Sequence, residues 1–558
     1  MAPTRRSTDH LLPLVLVLVA GSVLWYAHAT SWDLGGRSPI LSYDSAQYAL
    51  AARELAWHGR LATPFALPVD LAWHATPPWP LSAVQPGLVL AEAAIFKLVP
   101  SRGSDPRAWL TLVLPFVSYL FLGAGTVLGA RHLLSRMEPA SPRWMRVGAP
   151  AALGLMLVLD PEAQHFALAG LTELPFTVFL LLAVLGLARG AAAELPLVYG
   201  LVLGAAGLFR ANMLWLAPLC ALAAAWTAPA GRRGRTGALV MAGYVVPLLP
   251  WWYYKMRAFG SPAWDLTRFE LWDQVEGRGW FELFHRAEVP QVPQGPHALA
   301  LLAGKSWANL SRLVLPLLSG PRGLWLGALV SWLFTRPPRP LAAAALVLLA
   351  GLVLNSAAAS LGMPLLRYVF PTRVLVEAAG LLALWALLQR VPGASERLRG
   401  ALCVIAAALA LGWGVSQTLA GQVESRATSR ERGVPSSRTL TELSVALGEV
   451  LAPGETVMSN LGPALAWQTH HPVIHLAFSP EDVNACRARR DFRHIVLAFR
   501  SAGRAWDHWQ EIVERPGAAE THEELGVRRE RRFATADGFL VVWLELGPLQ
   551  PQMAARPR

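Results

Sequence analysis

Charged side chains stand beside long apolar segments of this 558-residue sequence, where a carboxylate and a cation together could handle a phosphate ester. The first is Asp44, in a segment over 43–59 that follows an apolar run. A carboxylate can take a proton from a hydroxyl, and an arginine can hold a phosphate through paired hydrogen bonds. Apolar or small residues in this segment repeat at helical spacing, which predicts a short amphipathic helix at a membrane surface. On these residues alone, Asp44 could equally be a helix cap.

Further charged residues collect at the ends of apolar segments, on the same predicted outer side of the membrane. Charges there are costly unless they face a cavity or a partner, so each is a candidate functional group. Glu173, at the start of an apolar segment, is the second candidate catalytic carboxylate. Lys255 and Arg257 could instead be interfacial anchors, and Asp160 could mark a helix end. The candidate substrate-binding residues are Arg53, Glu54, His58, His74, Asp160, Arg210, Lys255, Arg257, Arg367 and Tyr368.

The composition is that of a membrane protein. Hydrophobic residues make up 54% of the chain and charged residues only 15%, with a mean hydropathy of +0.37, which is far more apolar than an ordinary soluble domain. The net charge is +12, yet the arginines are spread between apolar segments and form no single basic face. We therefore interpret them as topology signals and contacts to anionic lipids, and we expect no nucleic-acid partner.

Cysteine and histidine spacing supports neither a disulfide framework nor a metal cluster. Cys220, Cys403 and Cys486 are far apart, and two of them lie in apolar segments. His470 and His471 have no metal-ligand spacing to carboxylates. We therefore expect no metal site, while the metal dependence of any reaction stays open.

The placement of lysine and arginine orients the spans. If the apolar stretch 81–99 lies along the interface, every clearly basic short connection falls on the cytoplasmic side, so we prefer that placement to a crossing. The sequence then predicts eleven spans in a bacterial inner-membrane protein, with a cytoplasmic N-terminus and an external C-terminus. The predicted spans are 11–29, 109–130, 147–168, 173–188, 195–209, 213–226, 237–253, 310–334, 341–358, 366–388 and 401–419.

The chain divides into a membrane part and a smaller external part. We predict a transmembrane domain over 1–420, with a long external first loop at about 30–107, a linker at 421–435 and a disordered tail at 547–558. Over 436–546, short apolar runs alternate with helical stretches, which indicates a small external α/β domain. The predicted fold class is therefore mainly α, a polytopic helical bundle with a C-terminal α/β domain.

Six local motifs in one order resemble the GT-C superfamily of polytopic glycosyltransferases, which includes protein O-mannosyltransferases and lipid A aminoarabinose transferases. Together they cover nearly the whole chain. The motifs are Tyr43-Asp44-Ser45 leading to Arg53-Glu54-Leu55, Thr76-Pro77-Pro78-Trp79-Pro80, Gly170-Leu171-Thr172-Glu173-Leu174-Pro175, Gly200 to Gly204 leading to Phe209-Arg210, Leu249-Pro250-Trp251-Trp252 with Lys255 and Arg257, and Leu366-Arg367-Tyr368-Val369-Phe370-Pro371.

The resemblance implies the GT-C fold, an external active site and a polyprenyl-phosphate sugar as donor substrate. It also implies that the first-loop aspartate, here Asp44, acts on the acceptor. This sequence departs from the pattern at two positions: Ser45 stands where many relatives have a second acid, and His74-Ala75-Thr76 replaces the lysine that aminoarabinose transferases place before the proline pair. The contacts to the donor phosphate must therefore differ, while Glu173 can supply the second acid.

These expectations combine into a glycosyltransferase hypothesis. Asp44 is predicted to deprotonate an acceptor hydroxyl as it attacks the anomeric carbon of the lipid-linked sugar with inversion, while Arg210, Lys255, Arg257 and Arg367 are candidates to stabilise the phosphate leaving group. The expected partners are the lipid-linked donor, membrane lipids and an envelope glycan, lipid or protein acceptor. Two alternatives stay open: a carrier or flippase for lipid-linked sugars, and a catalytically silent relative in an envelope complex.

Overall fold

The long apolar stretches of the chain form helices that pack around one hydrophobic core. The computed structural model describes residues 11–31, 43–99, 108–137, 143–429, 437–500, 507–535 and 538–549. The first seventeen helices are α1 (Leu11–Ser31), α2 (Tyr43–His58), α3 (Pro86–Leu98), α4 (Val113–Met137), α5 (Arg143–Val158), α6 (Pro161–Ala169), α7 (Glu173–Arg189), α8 (Ala191–Glu194), α9 (Pro196–Phe209), α10 (Met213–Thr227), α11 (Arg233–Phe259), α12 (Trp280–Phe284), α13 (Gly295–Leu318), α14 (Pro321–Leu333), α15 (Arg339–Leu361), α16 (Phe370–Gln389) and α17 (Glu396–Ser429).

Four of the described helices are long and apolar enough to cross a membrane, and the number rises to six if two bent helix pairs each count as one span. Four shorter apolar helices accompany them, so the chain is an integral membrane protein by helix length and composition. The predicted count of eleven spans is not established by these criteria and stays a prediction.

The predicted span 147–168 is not one helix. The chain breaks between α5 and α6, where Pro161 cannot donate a main-chain hydrogen bond and the Asp160 carboxylate accepts from the main-chain N–H groups of Glu162 and Ala163. The next break follows at once, because Gly170 has a left-handed backbone with φ 62° and α7 departs from α6 at 120°. The first break falls inside the predicted span 147–168, although Asp160 was a possible helix end, whereas the second lies between the predicted spans 147–168 and 173–188.

The predicted span 310–334 is likewise two helices. α13 and α14 meet at 87°, with Ser319 and Gly320 between them. Gly320 has φ 58° and ψ −141°, a conformation that glycine adopts without steric cost, and Pro321 starts the second helix. At its other end, α13 begins at Gly295, whereas the predicted span begins at residue 310.

Glycines allow α9 and α11 to pack backbone against backbone. A Cβ atom added at Gly200 would lie 2.2 Å from the main-chain oxygen of Val240, and one at Gly243 would lie 2.4 Å from that of Leu197. Small residues at helix contacts are the usual means of close packing in membranes. This contact fixes α9, whose end carries Arg210.

α3 is too short to cross a bilayer. Its 13 residues span about 20 Å at about 1.5 Å per residue, against a hydrocarbon core of about 30 Å. It packs on α2, where the rings of Trp57 and Phe96 lie 6.1 Å apart. The placement of 81–99 along the membrane surface stays a prediction.

The C-terminal part forms a sheet that also takes a strand from the first loop. Its order is β2-β5-β4-β6-β8-β7; neighbours from β2 to β6 are parallel, whereas β8 is antiparallel to β6 and β7. The strands are β1 (Ala62–Thr63), β2 (Phe65–Ala66), β3 (Trp79–Pro80), β4 (Val457–Ser459), β5 (Val473–His475), β6 (His494–Arg500), β7 (Val527–Ala534) and β8 (Phe539–Leu546), and β1 pairs with β3. The remaining helices are α18 (Ser437–Gly448), α19 (Gly462–Thr469), α20 (Val483–Arg489), α21 (Gln510–Glu514) and α22 (Ala518–Thr521).

The predicted division into 1–420 and 436–546 stays a prediction, and the two parts are interlocked. The edge strand β2 belongs to the first loop, so the C-terminal α/β unit is not built from 436–546 alone. Residues 421–429 of the predicted linker continue α17, whereas 430–435, and the predicted tail from 550 onward, lie outside the described residues.

Candidate active site

Asp44 lies at the start of α2 and forms an ion pair with Arg367, which is 323 residues later in the chain. The Asp44 Oδ2 atom lies 2.7 Å from Nη1 of Arg367. Arg367 belongs to a single helical turn, Leu366–Tyr368, directly before α16. The two side chains remain 36% and 32% exposed, respectively. The pair is therefore open on one side.

A second carboxylate and arginine pair lies deeper. Nη1 of Arg210 is 2.8 Å from Oε1 of Glu173, and the side chains are only 9% and 3% exposed. Glu173 begins α7, and Arg210 ends α9 in an extended conformation that turns it away from the helix. Arg210 also donates to the Thr172 hydroxyl at 3.3 Å and to Oδ1 of Asn212 at 3.4 Å. These contacts hold its guanidinium in one orientation.

The ring of Tyr368 connects the two pairs. The Cζ atoms of Arg210 and Arg367 lie 5.4 Å and 5.1 Å from its centroid. Attraction between guanidinium groups and an aromatic face favours this arrangement. Two cations are thus held near each other, each with its own carboxylate.

Each pair keeps one buried polar atom without a hydrogen-bond partner among the described residues. These atoms are Oε2 of Glu173 and Nε of Arg367. Buried polar groups in folded proteins are nearly always satisfied, so an unused acceptor and an unused donor need an explanation. A bound polar ligand would satisfy both.

Both pairs line a cavity of about 480 Å³. This volume lies within the usual range for small-molecule sites. Polar groups are supplied by Gln47, Tyr48, Gln85, Asn212 and Asn355, and apolar walls by Leu67, Phe209, Trp280, Leu361 and Met363. The cavity is therefore lined by both charged and apolar side chains, as an amphiphilic ligand requires.

Glu270 is a third carboxylate of this cavity, and the sequence interpretation missed it. It lies in the short helix Leu266–Trp272, whose end is held by Lys305 donating to the main-chain oxygens of Glu270 and Leu271 at 3.1 and 3.0 Å. Burial, with added repulsion from Asp265, raises the pKa of Glu270 to about 7. A single carboxylate among apolar residues, at 269–272, was the available signal.

Lys255 lies at the rim of the cavity. Its Nζ atom is 3.6 Å from Oδ2 of Asp265 and 5.1 Å from the ring centroid of Trp251. Asp265 in turn accepts from the Gln85 amide at 3.5 Å, and Gln85 lines the cavity. Lys255 is thus one side chain removed from the cavity wall.

Three predicted substrate-binding residues of α2 lie outside the cavity. Arg53 is buried and donates to the main-chain oxygens of Trp467 and Ala466 at 3.0 and 3.3 Å, so it ties α2 to α19. Glu54 pairs with Arg60 at 3.2 Å, and His58 is exposed at the helix end. A helix presents its side chains around its whole circumference, so Asp44 and these residues need not share a face.

His74, Arg257 and Asp160 also lie away from the cavity lining. Nε2 of His74 lies 2.7 Å from the main-chain oxygen of Ala258, and Arg257 is exposed. Asp160 pairs with Arg373 at 2.9 Å in a buried network. These three residues therefore do not form part of the proposed site.

Among the described residues, one set of His, Cys, Asp and Glu side chains is close enough together to hold a metal ion. One group of three, Glu481, His522 and Glu524, has ligand atoms within 4.8 Å of one another, and it lies in the C-terminal part. The carboxylates that line the cavity form no such group among these residues, and Asp44 and Glu173 are each paired with an arginine.

Solved glycosyltransferase structures share this architecture. ArnT from Cupriavidus metallidurans, bound to undecaprenyl phosphate, superposes with a TM-score of 0.55 at 14% identity, over 98% of this chain and 99% of that chain. Archaeal oligosaccharyltransferase AglB from Archaeoglobus fulgidus, in complex with an inhibitory peptide and a dolichol-phosphate, gives 0.53 at 13% identity, over 98% and 75%. This protein has the GT-C fold.

The predicted resemblance to GT-C enzymes is therefore confirmed at the level of the fold. No protein-family model and no curated protein sequence matches the chain. The GT-C fold accounts for the mainly helical membrane part and for the small sheet that follows it. It does not by itself assign a reaction, because function depends on the site.

Proposed function

We propose that this GT-C protein transfers a sugar from a polyprenyl-phosphate donor to an acceptor hydroxyl at the external face of the membrane. The observation that carries the proposal is the pairing of two carboxylates with two arginines around one amphiphilic cavity. Support from similarity comes from ArnT and AglB, whose structures hold undecaprenyl phosphate and dolichol-phosphate.

Asp44 is the proposed general base. The hydroxyl oxygen of the acceptor attacks the anomeric carbon, the hydroxyl proton passes to the Asp44 carboxylate, and the bond between the anomeric carbon and the phosphate oxygen breaks. The electron pair of that bond stays with the polyprenyl phosphate. Attack opposite the leaving group inverts the configuration at the anomeric carbon. Asp44 suits this role because its carboxylate is 36% exposed while still bound to Arg367.

Arg367 and Arg210 are the proposed ligands of the donor phosphate. The leaving phosphate is already ionised at neutral pH, so cations stabilise it more than a general acid would. Arg367 has a buried Nε without an acceptor among the described residues, and Arg210 is held in place by three polar neighbours. Phosphate binding to Arg367 would also weaken the ion pair between Arg367 and Asp44, and the Asp44 carboxylate would then be free to accept a proton.

Glu173 is proposed to orient Arg210 and to accept a hydrogen bond from a substrate hydroxyl. Its Oε1 faces Arg210, and its Oε2 is the buried acceptor that the described residues leave unused. Tyr368 keeps the two arginines together through its ring, and Lys255 supports the rim through Asp265. The apolar wall formed by residues such as Phe209 and Leu361 suits the first isoprene units of the lipid.

The proposed location is the bacterial inner membrane, with the N-terminus cytoplasmic and the C-terminal part external. The basic connections between spans support this orientation through the positive-inside rule. The cavity lies among α2, the starts of α7 and α16, and the end of α9, which the same orientation puts at the outer boundary. The acceptor would then be an envelope glycan, lipid or protein.

Membranes containing the protein, incubated with radiolabelled polyprenyl-phosphate sugars, test this function against its rivals. A glycosyltransferase gives covalent transfer to an endogenous acceptor. Movement of the labelled lipid across the membrane without product would identify a carrier or flippase. Neither result, with folded protein present, would identify a catalytically silent GT-C relative. The gathering of the charged pairs at one end of the helices, rather than at mid-membrane, favours the enzyme.

A further inference from the structure

The outermost strand of the sheet carries a run of arginines. β7 pairs with β8 on one side and forms the sheet edge. Arg532 is used internally, because it pairs with Glu530 and donates to the main-chain oxygen of Val513 at 2.7 Å. Arg529 and Arg531 are exposed. The sheet edge therefore presents two exposed cations, Arg529 and Arg531, whereas Arg532 is held by contacts within the protein.

The strand register decides which face these arginines share. Arg529, Arg531 and Phe533 lie opposite Glu545, Trp543 and Val541 of β8. Trp543 and Val541 belong to the core that the sheet shares with α18 and α19, whereas the alternate residues Leu544 and Val542 belong to the core beneath α21. We call the side of the sheet that carries α18 and α19 the inner face.

The inner face is turned toward the membrane part. On this face, the His475 ring lies 5.3 Å from that of Tyr43 in α2, and Trp467 of α19 lies 6.4 Å from Phe96 in α3. α2 and α3 are the helices placed at the membrane surface. Arg529, Arg531 and Phe533 therefore point in the direction of the bilayer, at the edge farthest from β2, and the described residues leave them exposed.

The chemistry of this edge is that of a membrane-surface contact. Arg531 lies 5.5 Å from the ring centroid of Trp543, and beside it Val450 is 41% and Phe533 37% exposed. Basic side chains with exposed apolar neighbours are typical of surfaces that bind anionic bilayers. The acidic residues nearby limit the contact: Glu545 lies opposite Arg529, Glu442 is exposed on α18, and Glu449 is exposed between the end of α18 and Val450. The contact thus belongs to the strand edge and not to α18.

We propose that Arg529 and Arg531, with Phe533 and Val450, bind anionic phospholipid headgroups of the bilayer in which the protein is embedded. The arginines would contact phosphate oxygens, and the two apolar side chains would enter the headgroup layer. This contact would support the free end of the sheet, whose other end is held through β2 and Arg53. It does not depend on the proposed glycosyl transfer.

Site-specific labelling of the full chain in lipid nanodiscs tests this contact. All three cysteines of the chain are buried, so one introduced cysteine can be labelled selectively. Gly448→Cys, at a position with open space around it, places a fluorophore on the inner face, and Glu520→Cys places one on the opposite side. The measurement is quenching of each fluorophore by lipids that carry a headgroup nitroxide, in discs with or without phosphatidylglycerol.

The proposal predicts strong quenching at position 448 in phosphatidylglycerol discs, weak quenching in phosphatidylcholine discs, and little at position 520. R529Q/R531Q should lower the ratio of docked to undocked protein on the order of 20-fold, at about fivefold for each arginine. The matched control is R515Q, an exposed arginine beside α21 that should change nothing. Equal quenching in both lipids, or in wild type and R529Q/R531Q, would overturn the proposal. Quenching at position 448 that appears only after dextran sulfate is added would overturn the proposal in favour of binding to an anionic glycan.

Discussion

Two clusters of carboxylates and arginines have similar composition and different surroundings. In the cavity, Asp44 and Arg367 are about one-third exposed and line an open volume. In the second cluster, Arg373 is 4% exposed, contacts Asp160 at 2.9 Å and Glu377 at 3.0 Å, and borders none of the cavity. Arg322 joins this cluster at 3.1 Å from Glu377. Charge beside a membrane span therefore indicates function only where the charged groups face free volume.

The Asp160 carboxylate shows how the second cluster is used for the fold. One oxygen caps α6, and the other binds Arg373 of α16. The cluster thus fixes the break between α5 and α6 against the beginning of α16. Since Arg367 lies just before α16, the buried cluster also holds this cavity arginine at its distance from Asp44.

The largest predicted effect is a loss of stability when the buried cluster loses its arginine. Arg373→Met should lower the free energy of unfolding by about 3 to 5 kcal/mol, because it leaves buried carboxylates without their cation. The change would be measured as the unfolding free energy of the purified protein in detergent. Arg257→Met, at an exposed arginine, is the control and should be neutral. An unchanged unfolding free energy in Arg373→Met would show that the two clusters do not differ in their contribution to stability.

The opposite pattern is expected for the cavity arginine. Arg367→Gln should lower the rate of sugar transfer by about 10² to 10³, as expected for the loss of one preorganised donor to a developing negative charge. Its ion pair is partly exposed, so the unfolding free energy should change by less than about 1 kcal/mol. Transfer assays and unfolding measurements on the same preparation check both. Loss of stability with unchanged transfer per folded molecule would contradict the assignment.

A smaller effect concerns the contact between the sheet and the membrane part. Burial lowers the pKa of His285 to about 3, and that of His475 well below its usual value. The unfolded chain takes up these protons below about pH 6.5, so the protein should lose about 1.4 kcal/mol per histidine at pH 5.5 relative to pH 7.5.

His285→Gln keeps a donor for the main-chain oxygen of Leu476 and removes the titration. It should therefore reduce this loss of stability by about half, measured as unfolding free energy at the two pH values. The control is His58→Gln, at an exposed position of α2, which should leave the acid sensitivity unchanged. An identical pH dependence in wild type and His285→Gln would refute the prediction.

The smallest predicted effect lies within the cavity itself. The pKa of Glu270 is about 7, so its carboxyl gains a negative charge as the pH rises from 6 to 8. That charge should weaken binding of the anionic donor a few-fold across this range, because like charges repel. Glu270→Gln should remove this part of the pH dependence, measured as donor KM against pH. A donor KM that varies with pH equally in both proteins would exclude Glu270 as the source.

The sequence was most informative where a charge interrupts an apolar pattern. Asp44, Glu173, Arg210 and Arg367 could each be identified in this way, and the GT-C resemblance gave the fold. Their convergence could not be derived, because it depends on contacts such as the one joining positions 44 and 367. Asp160 has the same sequence character as Asp44, and only the structure separates a capping carboxylate from one that faces a cavity.

The missed elements have physical reasons. β7 is a strand with four arginines, which an edge tolerates but apolar alternation cannot detect. β2 has two residues, and its pairing with β5 is a long-range contact. The helix breaks at Asp160 and Gly320 fall inside predicted spans, and in both a proline starts the next helix. Glu270 lies in a segment with no clear period, so its apolar neighbours at 269 and 271–272 were the available signal.

The most direct test of the central claim is Asp44→Asn, assayed for sugar transfer and for donor binding. The rate of sugar transfer should fall by about 10² to 10⁴, as expected for loss of a general base. The unfolding free energy and the affinity for the polyprenyl-phosphate donor should be retained, because Arg367 and Arg210 remain. Glu54→Gln, on the same helix but outside the cavity, should transfer sugar at the wild-type rate. A transfer rate for Asp44→Asn within tenfold of wild type would contradict the account.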